Sequence, residues 1–218
     1  MFDEQIISML LEGVRDTVYM TLVSTFFGYL LGLPMGIILT VTDKEGIRPN
    51  AVIYRIFDLI SNIVRSIPFL ILLILMIPVT RLIAGRSYGA TATIIPLVAT
   101  AAPYIARLVE SSLKEVDKGV IEAAKSAGAS NFDIVFRVLM VEARTSLIMG
   151  ATIAMGTILG YSAMAGTVGG GGLGDIAVRY GYYRWQTDIM LVTVALIIIL
   201  FQIFQNVGMR VANKLDKR

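Results

Sequence analysis

Ile121-Glu122-Ala123-Ala124-Lys125-Ser126-Ala127-Gly128, then Ser130-Asn131-Phe132-Asp133 and the apolar run 134–141, lie between two long apolar stretches. Ala123, Ala124 and Ala127 are strong helix formers, and Gly128 stands where a left-handed residue stops a helix. Ser130 followed three residues later by Asp133 is a capping-box-like start for a second short helix. The stretch therefore predicts helix, sharp glycine turn, helix. Its small side chains let a partner come close, and Glu122 supplies a charged anchor. A polar insert between apolar stretches makes sense if something outside the bilayer grips it.

The surrounding composition sets that bilayer. Of 218 residues, 56% are hydrophobic and 16% charged, with a mean hydropathy of 0.75. Soluble domains carry about 25% charged residues, so the expected fold class is an all-α integral membrane protein. The chain has no Cys and no His, which removes disulfides, the usual zinc sites, haem ligation and His-based acid–base chemistry. No metal site and no cofactor of its own are expected. The basic residues are scattered without aromatic interleaving, so nucleic acid is not an expected partner.

A span needs about 20 mostly apolar residues. Five candidates emerge, at 17–41, 66–84, 90–109, 145–166 and 188–209, in a single transmembrane domain over 1–218 with no linker. The polar insert then occupies about 111–144. The stretch 5–16 is too short and polar to span and is expected to lie along the membrane surface. Asp3, Glu4 and Glu12 precede the first basic residue, Arg15, unlike a cleaved signal peptide. Gly28, Gly32 and Gly36 form a small-xxx-small stripe suited to close helix contact, within the subunit or across a dimer seam.

Charge bias orients the chain. With the N-terminus outside, most of the 19 Lys and Arg fall in cytoplasmic segments: Lys44, Arg48 and Arg55, then the run from Arg107 to Arg144, then Arg210, Lys214, Lys217 and Arg218. Arg15, Arg81, Arg86, Arg179 and Arg184 fall outside. By the positive-inside rule the Glu122 segment and the C-terminus are cytoplasmic.

The Glu122 segment resembles the EAA loop of the membrane subunits of ABC importers, with Glu122, Ala123, Ala124 and Gly128 at the family spacing. Val138 and Met140 stand for the family's later Ile and Leu, and Val141 replaces its proline. Further stretches resemble the permeases of methionine importers: 65–69, 76–81, 101–107, 160–174 and 180–182. The resemblance implies a type I importer fold with about five spans per subunit, in a bacterial cytoplasmic (inner) membrane. It implies ATPase coupling through Glu122, Ala123, Ala124 and Gly128. Its partners would be a second copy of the chain, an ATPase dimer holding ATP and Mg, an extracytoplasmic methionine-binding (lipo)protein and membrane lipids. The subunit itself would be non-catalytic.

Other features keep two readings. Asp58, Asn62 and Arg65 fall at i, i+4 and i+7 on one helix face, either as an Asp58–Arg65 pair through Asn62 or as a polar lining of the inner mouth of a pathway. Met164, among the small residues Ser162, Ala163, Ala165 and Gly166, is either an apolar plug in a pathway with Tyr161 and Ser162 or ordinary packing. Gly169, Gly171 and Gly174 spell G-x-G-x-x-G, but a nucleotide site would need a preceding strand; close packing at the end of a span suits them better. Within the importer class another amino acid or small solute remains an alternative substrate. An ATP-independent channel or carrier is a weaker alternative, because spans one, four and five lack mid-span ionisable groups.

Overall fold

The computed structural model describes residues 4–215, so Asp3, Lys217 and Arg218 lie outside the described residues. Among them there is helix and no strand. The order is α1 (Glu4–Thr42), α2 (Ala51–Ser66), α3 (Phe69–Leu75), α4 (Ile77–Ala84), α5 (Ala90–Lys114), α6 (Lys118–Ser126), α7 (Asn131–Asp133), α8 (Met140–Glu142), α9 (Arg144–Ala165), α10 (Gly172–Ile176) and α11 (Thr187–Leu215). Short π-helical pieces, Ile134–Leu139 and Ala177–Tyr182, follow α7 and α10. Four helical segments are long and apolar enough to cross a membrane, and α2 with α3, bent by 101°, makes a candidate fifth.

Two expectations change here. Residues 5–16 are not a separate surface segment: they continue without a break into the span as the first turns of α1. At about 1.5 Å of rise per residue, α1 reaches roughly 58 Å, nearly twice the hydrocarbon thickness. The cause is packing. Leu10 is buried with Ile176 and Ile189, so contact with α10 and α11 holds the early turns helical. Along the span, the hydroxyls of Thr17, Thr21 and Thr25 each donate to the carbonyl four residues back, which satisfies these buried donors inside the helix.

The second change concerns 66–84, which is two short helices and not one span. Ile67 adopts an extended conformation before Pro68, where α2 ends, as the residue preceding a proline tends to. A further break falls at Met76, ahead of Pro78 near the start of α4. The other three spans match α5, α9 and α11 closely.

The glycine stripe of α1 serves the inside of the subunit. A Cβ on Gly32 would sit 2.5 Å from the Ala102 carbonyl oxygen, and one on Gly36 would sit 2.6 Å from that of Ala106. Helix α5 thus lies backbone to backbone against α1, with Leu97, Ile105 and Val109 buried in the main core. The glycine-rich segment after α9 is a tight reversal of the same kind: a Cβ on Gly174 would meet the Ala163 carbonyl at 2.1 Å. Leu173 N–H donates to Thr17 Oγ1 at 2.8 Å, and Gly89 N–H donates to the Gly169 carbonyl at 2.9 Å. These glycines pack chain against chain.

Gly32→Ala is expected to destabilise the purified protein by about 1–3 kcal/mol, the range for overpacking a tight contact. Gly160→Ala is the comparison, since a Cβ there meets nothing within 4 Å. Thermal unfolding in detergent reads both. Equal midpoints would show that the α1–α5 contact relaxes freely.

Candidate coupling loop and the polar cluster beside it

Helix α6 begins at Asp117, whose side chain accepts from Gly119 N–H at 2.6 Å. It ends in a Schellman turn: Ala129 N–H reaches the Ala124 carbonyl, Gly128 N–H reaches the Lys125 carbonyl, and Gly128 has φ +80°. Only glycine adopts that angle without strain. Ser130 then caps the next helix, accepting from Asp133 N–H at 3.2 Å while its hydroxyl donates to Asp133 Oδ2 at 2.6 Å. That hydroxyl holds the Asp133 carboxyl below the usual range, with help from Arg137. In place of a proline-marked end at Val141, the backbone passes through the π-helical piece and breaks at Ala143.

No residue of α6 is buried. Ile121, Ala124 and Ala129 lean on the core formed by Leu113, Ile134 and Leu139, which turns Glu122, Ala123 and Lys125 outward. Phe132 and Phe136, with ring centroids 4.5 Å apart, are exposed on the following turn. Sequence reasoning missed this aromatic pair; its i, i+4 spacing on a polar segment is the signal that marks it. A cleft of about 380 Å³ separates α6 from the α1–α2 loop, with Lys44, Glu45, Lys118, Glu122 and Lys125 on its walls.

Beside this loop lies a charge cluster whose centre the sequence reading did not find. Asp58 does not pair with Arg65, which is exposed and outside the cluster. Its carboxylate is bound by Arg107 of α5. Arg107 also contacts Glu110 at 2.7 Å and Asn62 Oδ1 at 3.0 Å, while Asn62 Nδ2 donates to Asp58 at 3.1 Å. Glu110, 5% exposed, takes Lys114 at 2.7 Å and the Tyr54 hydroxyl at 3.3 Å. Lys114 continues to Asp43 at 2.9 Å. Geometry explains the choice of partner: Asp58 faces α5, where one planar guanidinium serves two carboxylates at once. The charges Arg107, Glu110 and Lys114, at i, i+3 and i+7 at the end of an apolar helix, were the available sign.

The loop between α1 and α2 is tied down by the same chemistry. Asp43 lies below the ordinary carboxylate range because it accepts the Glu45 N–H and, next, the Lys114 ammonium. Glu45 is lowered, and Lys118 raised, by their mutual contact at 2.5 Å. Depressed carboxylates stabilise above their unfolded pKa and lose that contribution as pH falls through the folded one. The Asp43 tie is thus complete at neutral pH and fades only in acid.

Of the pathway candidates, Tyr161 is half-buried and stacks on Phe69 at 4.7 Å with the rings 12° apart. Met164 is 45% exposed on one face of α9. Ser162 departs from the expected lining: it is 1% exposed, and its hydroxyl is spent on the Leu159 carbonyl. Two residues from Met164 along a helix is about 200°, so the two cannot share a face.

Membrane-length helices interrupted by an outward-facing Glu-Ala-Ala helix and its glycine turn define the permease subunit of an ABC importer, in the type I fold. The family model for the binding-protein-dependent transport system inner membrane component matches residues 32–218, and the chain belongs to that family. It is 46% identical over 210 residues to the probable D-methionine transport system permease protein MetI of Vibrio cholerae, covering 96% of this chain and 93% of the relative. It is 50% identical over 163 residues to the D-methionine transport system permease protein MetI of Escherichia coli K12, covering 75% of each. An inward-facing structure of the MetNI methionine ABC transporter matches with a TM-score of 0.97 at 45% identity, covering 99% of this chain and 100% of the other. The protein is a multi-pass permease.

Glu110→Ala is expected to lower stability by about 1–3 kcal/mol, because Arg107 and Lys114 lose their shared acid while keeping Asp58 and Asp43. Arg65→Ala, outside the cluster, is the matched surface change. Unfolding in detergent measures both, and equal loss at the two positions would contradict the role given to Glu110.

Proposed function

We propose that this chain is the membrane-spanning subunit of an importer that carries methionine across the bacterial inner membrane. It acts as one permease domain, paired with a second copy, and is driven by an ATPase dimer that binds ATP and Mg. An extracytoplasmic methionine-binding lipoprotein delivers the substrate. The permease itself performs no catalysis: it offers a coupling surface and leaves hydrolysis to its partner. Methionine comes from the names of the relatives and the whole-length structural likeness. The observation that carries the coupling role is the outward face of α6, where Glu122 and Ala123 stand exposed above a helix pinned to the core.

Orientation follows the charge bias: N-terminus outside, coupling loop (about 111–144) and C-terminus cytoplasmic. Tyr182, Tyr183 and Trp185, all exposed beyond the far end of α9, suit the opposite membrane interface. Glu122 makes a charge-assisted contact with the ATPase, and Gly128 sets the angle of the following turn. Tyr161 and Met164 border the pathway between the two copies, with Ser162 packed behind them. Methionine carries no net charge, so an apolar lining at Tyr161 and Met164 can pass it without a fixed countercharge in the membrane interior.

Uptake of labelled methionine in cells that depend on this system tests the reading. Glu122→Lys is expected to cut uptake at least tenfold, consistent with the roughly 1.5–3 kcal/mol of a hydrogen bond to a charged group, with normal insertion in the membrane. In the same cells, an impermeant thiol reagent should fail to label Lys125→Cys. Undiminished uptake would remove the coupling role, labelling would reverse the orientation, and preference for histidine or lysine would replace the substrate.

A further inference from the structure

Between the adjoining ends of α5 and α9 lies a groove of about 430 Å³, within the roughly 300–1,000 Å³ of small-molecule sites. It is polar at one end and apolar at the other. Glu115 and Ser111 stand at the polar end beside Ser146; Leu108, Met149 and Ile153 form the apolar wall. Ser146 Oγ lies 2.9 Å from Glu115 Oε2 and 3.0 Å from Ser112 Oγ. A hydroxyl has one proton to give, so Ser146 donates to the carboxylate and accepts from Ser112. The bond fixes one Glu115 oxygen. Among the described residues no cation lies within ion-pair distance of Glu115, in contrast to Glu110 five residues earlier, which holds two.

The groove opens on the face of α9 that carries Met164. Met149, Ile153 and Met164 are 40%, 49% and 45% exposed, and their i, i+4, i+15 spacing places them along one side of the helix. Moving from Met164 toward the coupling loop, this face ends at Glu115.

We propose that the groove is a subsite for a zwitterionic amino acid with an apolar side chain, on its way out of the pathway. The ammonium sits on the free oxygen of Glu115 and the side chain lies against Leu108, Met149 and Ile153. Ser146 is a positioning residue that holds the carboxylate in the groove. Met149, unbranched and polarisable, adapts to a flexible thioether. The proposal deepens the function given above and rests on its placing of the Met164 face along the pathway.

The Cys-free sequence supplies the test. Ser111→Cys, in the otherwise unaltered permease assembled with its ATPase in proteoliposomes, places a thiol in the groove wall. Methionine is expected to protect it from a thiol reagent reaching the coupling-loop side. Adding Glu115→Gln should raise the methionine needed for half-protection about tenfold, the loss of one charge-assisted hydrogen bond. Glu115→Asp, which keeps the charge should the Gln variant fail to assemble, retains most of the protection. The methionine analogue lacking the ammonium should protect poorly with Glu115 in place. Absence of protection by any amino acid, or protection indifferent to Glu115→Gln, overturns the subsite. Glu115-dependent protection by other amino acids but not by methionine supports the subsite and overturns the methionine reading instead.

Discussion

Glu110 is the acid on which the packing of α2 and the α1–α2 loop against α5 depends. It is almost fully buried, and a buried carboxylate is tolerable only with its charge neutralised and its oxygens hydrogen-bonded. Arg107, Lys114 and Tyr54 meet that demand, and between them they tie α2 and the α1–α2 loop to α5. Through Arg107 the cluster takes hold of Asp58 on α2, and through Lys114 it takes hold of Asp43 in the α1–α2 loop. The amphipathic helix α2 turns Tyr54, Asp58 and Ser61 toward the protein and leaves Val52, Ile56, Leu59 and Ile63 exposed. The charge cluster therefore anchors a helix that apolar packing alone would leave loose.

The same arrangement gives α6, the proposed coupling helix, a firm base. Helix α5 is held against α1 by glycine contacts at backbone distance, and its last turn carries both Lys114 and the apolar Leu113. Leu113 belongs to the core on which Ile121, Ala124 and Ala129 of the coupling segment rest. A force applied at Glu122 reaches α5 through packed side chains and one short connection. Helix α9, which carries Tyr161 and Met164, starts directly after the loop. On the proposed reading, the docking face at Glu122 and the pathway face at Met164 are thus two ends of one packed unit.

Much of this was legible in the residues. Alanines, a glycine stop and a Ser–Asp cap specify the coupling loop locally, and the structure forms each of them with its own short-range hydrogen bonds. Long apolar runs placed α5, α9 and α11 well. The failures share a cause. Residues 5–16 extend α1 because Leu10 meets Ile176 and Ile189, far away in sequence. Asp58 chose Arg107 over Arg65 because α5 lies on its side of α2, which helical spacing within α2 cannot reveal. Ser162 turned inward because the phase of α9 is set by its packing against neighbouring helices. The breaks near Pro68 and Pro78 carry proline punctuation, but the bend of 101° between α2 and α3 comes only from the tertiary structure.

On the proposed reading the permease docks an ATPase at α6, passes its substrate along the Met164 face and takes its energy from that partner. The most direct measurement is methionine accumulation in proteoliposomes, comparing the permease alone with the permease assembled with its ATPase and binding protein. Concentrative uptake is expected only in the full assembly and only with hydrolysable ATP. Concentrative methionine uptake by the permease alone, driven by an ion gradient, would contradict the account and make the chain a carrier.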